Sequence, residues 1–165
     1  YMCQRQSSSP MLPSAAPTPP WAATVCDRVG KTLVMQAVFS PEDALRIMQH
    51  HAADMINIKL MKCGGLYNAQ KILSAAEVYG MECMLGCMLE AKVSVNAAVE
   101  LACAKQIITR IDLDGPVLCR EDPILGGAVF NEKDITVSDE PGLGIHGFEE
   151  GRLTYLDETM CRHMH

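Results

Sequence analysis

A chain of 165 residues, 48% hydrophobic and 21% charged, has the composition of one ordinary globular domain with a real core. Its formal net charge of −6 and the lack of any basic stripe exclude nucleic acid as a natural partner. Its apolar runs fall far short of the roughly 20 residues that a membrane helix needs, so a soluble, cytoplasmic protein with no membrane partner is expected.

Composition shifts sharply near residue 30. Residues 1–23 hold five of the nine prolines, the run Ser7-Ser8-Ser9 and no acidic residue. Such a stretch supplies no core, and residues 1–31 are expected to be irregular or disordered. "TLVM" (32–35) is then a short strand candidate. "SPEDALRIMQHH" (40–51) opens with Ser40 as N-cap, Pro41 at the first helical position and two acids in the first turn, a well-signalled helix start. "MINIKL" (55–60) predicts a strand. "LYNAQKILSAAEVYG" (66–80) repeats its apolar residues at helical spacing and stops at Gly80. "ECMLGC" (82–87) predicts a strand, 91–106 a helix, and "TRIDLD" (109–114) a fourth strand.

This alternation, with a period of about 25–30 residues, is the pattern of βαβ units around a parallel sheet. The expected fold class is α/β, the C-terminal half of a (β/α)8 TIM-type barrel. It spans 32–146 with a return segment, followed by a tail over 147–165. Residues 126–137 suggest a short antiparallel excursion, followed by the Pro/Gly-rich return segment at 139–147. A half barrel of this kind leaves two open strand edges and an uncovered apolar face.

The eight cysteines invite a disulfide reading, but no CxxC pair occurs and several lie in apolar runs. Reduced thiols packed as small hydrophobes are expected. The terminal "CRHMH" is expected to be a frayed end rather than a metal site.

Side chains alternate between the faces of a strand. In "MINIKL", Ile56, Ile58 and Leu60 suit the helix-covered face, while Met55, Asn57 and Lys59 point into the barrel. Lys59 falls at the C-terminal end of its strand, where barrel enzymes place reacting groups. Asp112 and Asp114 share a face at the end of theirs. The competing readings are bland: a lysine snorkelling from a strand end, a solvated turn before Gly115-Pro116, and a loop-exposed Lys62. Gly64-Gly65 reads either as a tight turn or, weakly, as a phosphate loop.

Five strings carry a resemblance: "VFSPEDA" (38–44), "ADMINIKLMKCGG" (53–65), "GMECMLGCMLEAK" (80–92), "ITRIDLDGP" (108–116) and "PGLGI" (141–145). In order and spacing the run resembles the C-terminal part of dipeptide epimerases of the L-Ala-D/L-Glu type. These are enolase-superfamily enzymes with the mandelate racemase/muconate lactonizing enzyme C-terminal domain. The resemblance implies an acid/base role for Lys59 at a dipeptide's α-carbon. It also implies that Asp112 and Asp114 hold the dipeptide's α-ammonium, and that Gly86, Cys87 and Met88 line the pocket, the family having Ser where Cys87 stands. Asn57, on the face of Lys59, is a further substrate-binding candidate. The superfamily uses a Lys or His base with Mg²⁺ stabilising the enolate, so removal of the weakly acidic α-proton is eased electrostatically. An o-succinylbenzoate synthase or muconate cycloisomerase relative is the alternative within the superfamily. The Asp pair favours a dipeptide, because an ammonium needs acidic partners.

The rest of the implied machinery, a K-x-K motif and three metal carboxylates, has no counterpart. Where the third carboxylate belongs the chain reads "LVMQA" (33–37), and neither Met35 nor Gln36 is a hard anionic ligand for Mg²⁺. Mg²⁺ therefore belongs to the complete family enzyme, with no metal ligand in this chain. The expectation is a truncated or frame-disrupted copy, inactive alone. It either works with a complementing N-terminal half or persists as a self-associating, non-catalytic homo-oligomer.

Overall fold

The computed structural model describes residues 26–29, 32–36, 38–131 and 134–150. The N-terminal stretch up to 25 and the terminal "CRHMH" lie outside the described residues.

The helix starts follow their local chemistry. Ser40 caps α1 (Pro41–Gln49), its hydroxyl accepting from the Asp43 N–H at 3.1 Å, and Ala44, Ile47 and Met48 bury one face. β3 (Met55–Lys59) then runs straight into a single helical turn, α2 (Leu60–Cys63). Leu60 thus opens a helix instead of closing the strand. Gly64 (φ 85°) and Gly65 (φ 92°) make the sharp reversal into α3 (Leu66–Tyr79). Positive φ at both positions explains the glycine pair as a turn. β4 (Glu82–Gly86), α4 (Lys92–Ala104), β5 (Ile108–Asp112) and the short α5 (Gly115–Leu118) complete the alternation.

The expected half barrel is present. β2 (Thr32–Met35), β3, β4 and β5 lie side by side and parallel in sequence order. Helices α1, α3 and α4 pack over one side. Met35, Ile47, Met48, Ile56, Ile58, Ile72, Leu73, Leu85 and Val95, all at most 1% exposed, form the core cluster with their neighbours. Burying each such side chain contributes about 1.5–3 kcal/mol.

One strand was not anticipated. β1 (Cys26–Val29) pairs antiparallel with β2 over four residue pairs, at the end of the segment read as irregular. Its composition is too short and mixed to carry a strand signal; the partner edge supplies the reason. Among the described residues β1 covers the outer side of β2, and the two edges of the sheet are β1 and β5.

Beyond α5 the chain forms the anticipated antiparallel excursion, a hairpin of β7 (Val129–Asn131) and β8 (Asp134–Thr136). β6 (Ile124–Gly126) pairs antiparallel with β9 (Ile145–Phe148), which carries the return segment past residue 146. Buried Asn96 of α4 holds this unit in place. Its Nδ2 donates to the Leu143 carbonyl at 3.2 Å, and its Oδ1 accepts from the Ala128 N–H at 3.0 Å. Gly127 leaves the space: a Cβ there would lie 1.9 Å from Asn96 Nδ2.

Cys63, Cys83, Cys87, Cys103 and Cys119 are all free thiols. Among the described residues no helix is long and apolar enough to cross a membrane.

Candidate functional site

The register of three strands builds the site. Lys59 at the end of β3 stands opposite Gly86 of β4, which stands opposite Asp112 of β5. In-register residues of parallel strands share a face, so Lys59 and Asp112 flank a glycine at one mouth of the sheet, about 10 Å apart by strand spacing. One rung below lie Asn57, Met84 and Arg110. The inward assignment of Asn57 and Lys59 agrees with this register, and Lys59 is only half-buried while Ile56 and Ile58 are sealed.

Asn57 is 1% exposed and donates its Nδ2 to Gln36 Oε1 at 2.8 Å. Its Oδ1 has no hydrogen-bond partner. That oxygen lies over Gly86, where an added Cβ would come within 2.7 Å of it. The glycine between Lys59 and Asp112 is therefore required by the neighbouring carboxamide. The Gln36–Asn57 pair was not legible beforehand, because it joins residues 21 apart in sequence.

The strand expected over 109–114 ends at Asp112, so Asp114 does not share a strand face with it; Asp114 caps α5 with helical backbone angles, its carbonyl accepting from the Val117 and Leu118 amides. Beside it sits Cys87, whose Sγ accepts from the Gly115 N–H at 3.3 Å and lies 4.0 Å from Asp114 Oδ1. Burial pushes the Cys87 thiol up; the Gly115 N–H opposes this, and Asp114, Glu90 and Asp112 add to it. These groups together favour the neutral thiol over the thiolate. Met88 is 39% exposed at the rim. Its N–H donates to Glu90 Oε1 at 2.9 Å. Buried Glu90, which the sequence reading passed over, also accepts from the Ser94 hydroxyl and so ties the loop after β4 to the start of α4.

Lys62 is not the loop-exposed residue expected. Its Nζ donates to the Gln36 carbonyl at 3.3 Å and sits 5.6 Å from the centre of the Phe39 ring. It braces the end of β2 against α2.

The same strand end fails as a magnesium site. Met35 is fully buried in the helix-side core, and the Gln36 carboxamide is engaged by Asn57. Among the described residues no three His, Cys, Asp or Glu side chains come together to hold a metal ion. The residues present do not fit the group that the resemblance implies.

A parallel sheet with helices on one face and polar groups at the C-terminal strand ends defines part of a (β/α)8-type barrel. The chain matches the enolase C-terminal domain-like family over residues 17–150 and belongs to that family. It is 66% identical over 112 residues to an L-Ala-D/L-Glu epimerase of Clostridium acetobutylicum, covering 68% of this chain and 31% of that protein. Among solved structures, a substrate-liganded complex of the Bacillus subtilis L-Ala-D/L-Glu epimerase is similar with a TM-score of 0.69 and 40% identity, over 73% of this chain and 34% of that one. An Enterococcus faecalis dipeptide epimerase complexed with Mg and the dipeptide L-Leu-L-Tyr follows at a TM-score of 0.68 and 39% identity, over 72% and 34%. The chain thus spans about a third of the length of the relatives it matches.

Proposed function

We propose that this chain carries one side of a dipeptide epimerase site, in which Lys59 is an acid/base residue at the substrate's α-carbon. The observation that carries the reading is the row Lys59–Gly86–Asp112 at the ends of three parallel strands. An ammonium and a carboxylate there face a gap with no side chain between them, which suits a small zwitterionic substrate. Asp112 and Asp114 hold the α-ammonium of the dipeptide. Cys87 and Met88 line the pocket, and the buried carboxamide of Asn57 forms its floor.

Lys59 Nζ removes or returns the α-proton from one side of the carbon. Inversion requires a second base on the other side, and the charge that develops on the carboxylate requires strong electrostatic stabilisation. Both would come from a complementing N-terminal barrel half. Mg²⁺, seen with the Enterococcus faecalis relative, belongs to that complement, and no step on this chain's residues passes through it.

A chimaera tests the reading. Residues 38–150 of this chain replace the matching third of the Bacillus subtilis epimerase, and exchange of the α-proton of an Ala-Glu dipeptide is followed in D2O. Exchange is expected, with Lys59→Met lowering its rate by roughly 10²–10⁴-fold. Exchange indifferent to Lys59→Met, or absent in a folded chimaera that binds the dipeptide, overturns the assignment.

A further inference from the structure

Glu90 is the only buried carboxylate among the described residues, and the reaction proposed above gives it no part. It is 7% exposed, and no cation among the described residues pairs with it. A carboxylate taken out of water needs donors for its oxygens. Here both donors are neutral: Oε1 accepts from the Met88 N–H at 2.9 Å, and Oε2 accepts from the Ser94 hydroxyl. Glu90 directly precedes Ala91, the N-cap of α4, where the helix end favours negative charge. The carboxylate therefore pins the turn 87–90 to the first turn of α4.

That turn holds the segment that carries both aspartates. Cys87 grips the segment at two points. Its N–H donates to the Asp112 carbonyl at 3.1 Å, and its Sγ accepts from the Gly115 N–H at 3.3 Å. Gly115 itself lies close against the turn. A Cβ there would come within 3.0 Å of the Met88 carbonyl oxygen, 3.2 Å of Cys87 Sγ and 3.6 Å of the Glu90 carbonyl oxygen. Asp112 stands at one anchor point and Asp114 next to the other. Every one of these contacts falls within residues 87–115, so none depends on the other half of a barrel.

We propose that Glu90 is a positioning residue. By fixing the turn 87–90 it sets where the carboxylates of Asp112 and Asp114 stand, and with them the seat of the substrate's ammonium. The seat rests on the epimerase reading, whereas the hold on Asp112–Gly115 does not. A binding pair works only as well as the residues behind it keep it in place.

Amide hydrogen exchange of the full chain under reducing conditions, read residue by residue by nuclear magnetic resonance, tests the hold. Glu90→Ala should speed exchange at the Cys87 and Gly115 amides about tenfold or more beyond any change in α1 and α3. It should also move the carboxyl carbon resonances of Asp112 and Asp114. Glu90→Gln keeps an acceptor for the Met88 N–H and should restore both signals. Ser94→Ala removes one bond only and should fall between, which keeps the test open if Glu90→Ala unfolds. Exchange at Cys87 and Gly115 that merely follows α1 and α3 overturns the inference, as does Glu90→Gln behaving like Glu90→Ala. In the chimaera, Glu90→Ala should raise KM for the dipeptide about fivefold or more with kcat nearly unchanged. Asp114→Asn in the same background keeps the two claims apart. If Asp114→Asn leaves KM unchanged, the ammonium seat falls and Glu90 is judged on exchange alone. If Asp114→Asn raises KM and Glu90→Ala does not, the positioning role falls.

Discussion

Gly86 shows how one residue type answers two demands at the site. It leaves the gap between Lys59 and Asp112 open, and it makes room for the Asn57 carboxamide at 2.7 Å from its missing Cβ. Gly86→Ala should therefore cost about 1–3 kcal/mol in urea unfolding, because a sealed carboxamide cannot move aside. Cys83 makes a second prediction at this scale. Burial pushes its thiol up to about 12 from 9.0, with Glu77 and Glu82 adding to the shift. The folded state thus keeps a proton that the unfolded state loses above pH 9. Stability is full below that pH and falls as pH rises toward 12. The expected slope is roughly 1 kcal/mol per pH unit at most. Urea unfolding at pH 8 and pH 10 measures it, and Cys83→Ala should flatten the difference.

At the scale of the element, the starts and stops of helices were legible wherever a cap residue decides them. Ser40, Pro41 and the two following acids predicted α1, and the Ser40 hydroxyl does hold the Asp43 N–H. Ser40→Ala should lower stability by about 1 kcal/mol through loss of that cap, measured by thermal or urea unfolding. Gly64, Gly65 and Gly80 marked breaks because only glycine takes their positive φ without strain. The short pieces were not legible. α2 is a single turn that hydrophobic period cannot separate from the end of a strand. β1 exists by pairing with β2, and a pairing partner leaves no mark on local sequence.

At the scale of the whole molecule, the site is one-sided. Lys59 and the two aspartates stand at the mouth, and among the described residues nothing fits a metal ion. The chain by itself is expected to give no α-proton exchange on Ala-Glu dipeptides, with or without added Mg²⁺. Loss of parts that act as a unit is close to total loss of rate. Exchange by the purified chain that depends on added metal would contradict this.

The sequence by itself determined the alternation of strand and helix, the two faces of β3 and the candidates Lys59, Asp112 and Asp114. These depend on period, caps and strand-end position, all of which are local. Only the tertiary structure decided the rest, because it depends on register between distant segments. It set Lys59, Gly86 and Asp112 on one row, and it gave Gly86 its reason in the Asn57 side chain. It turned Lys62 from a loop residue into a brace, and it added β1 to the sheet beside β2.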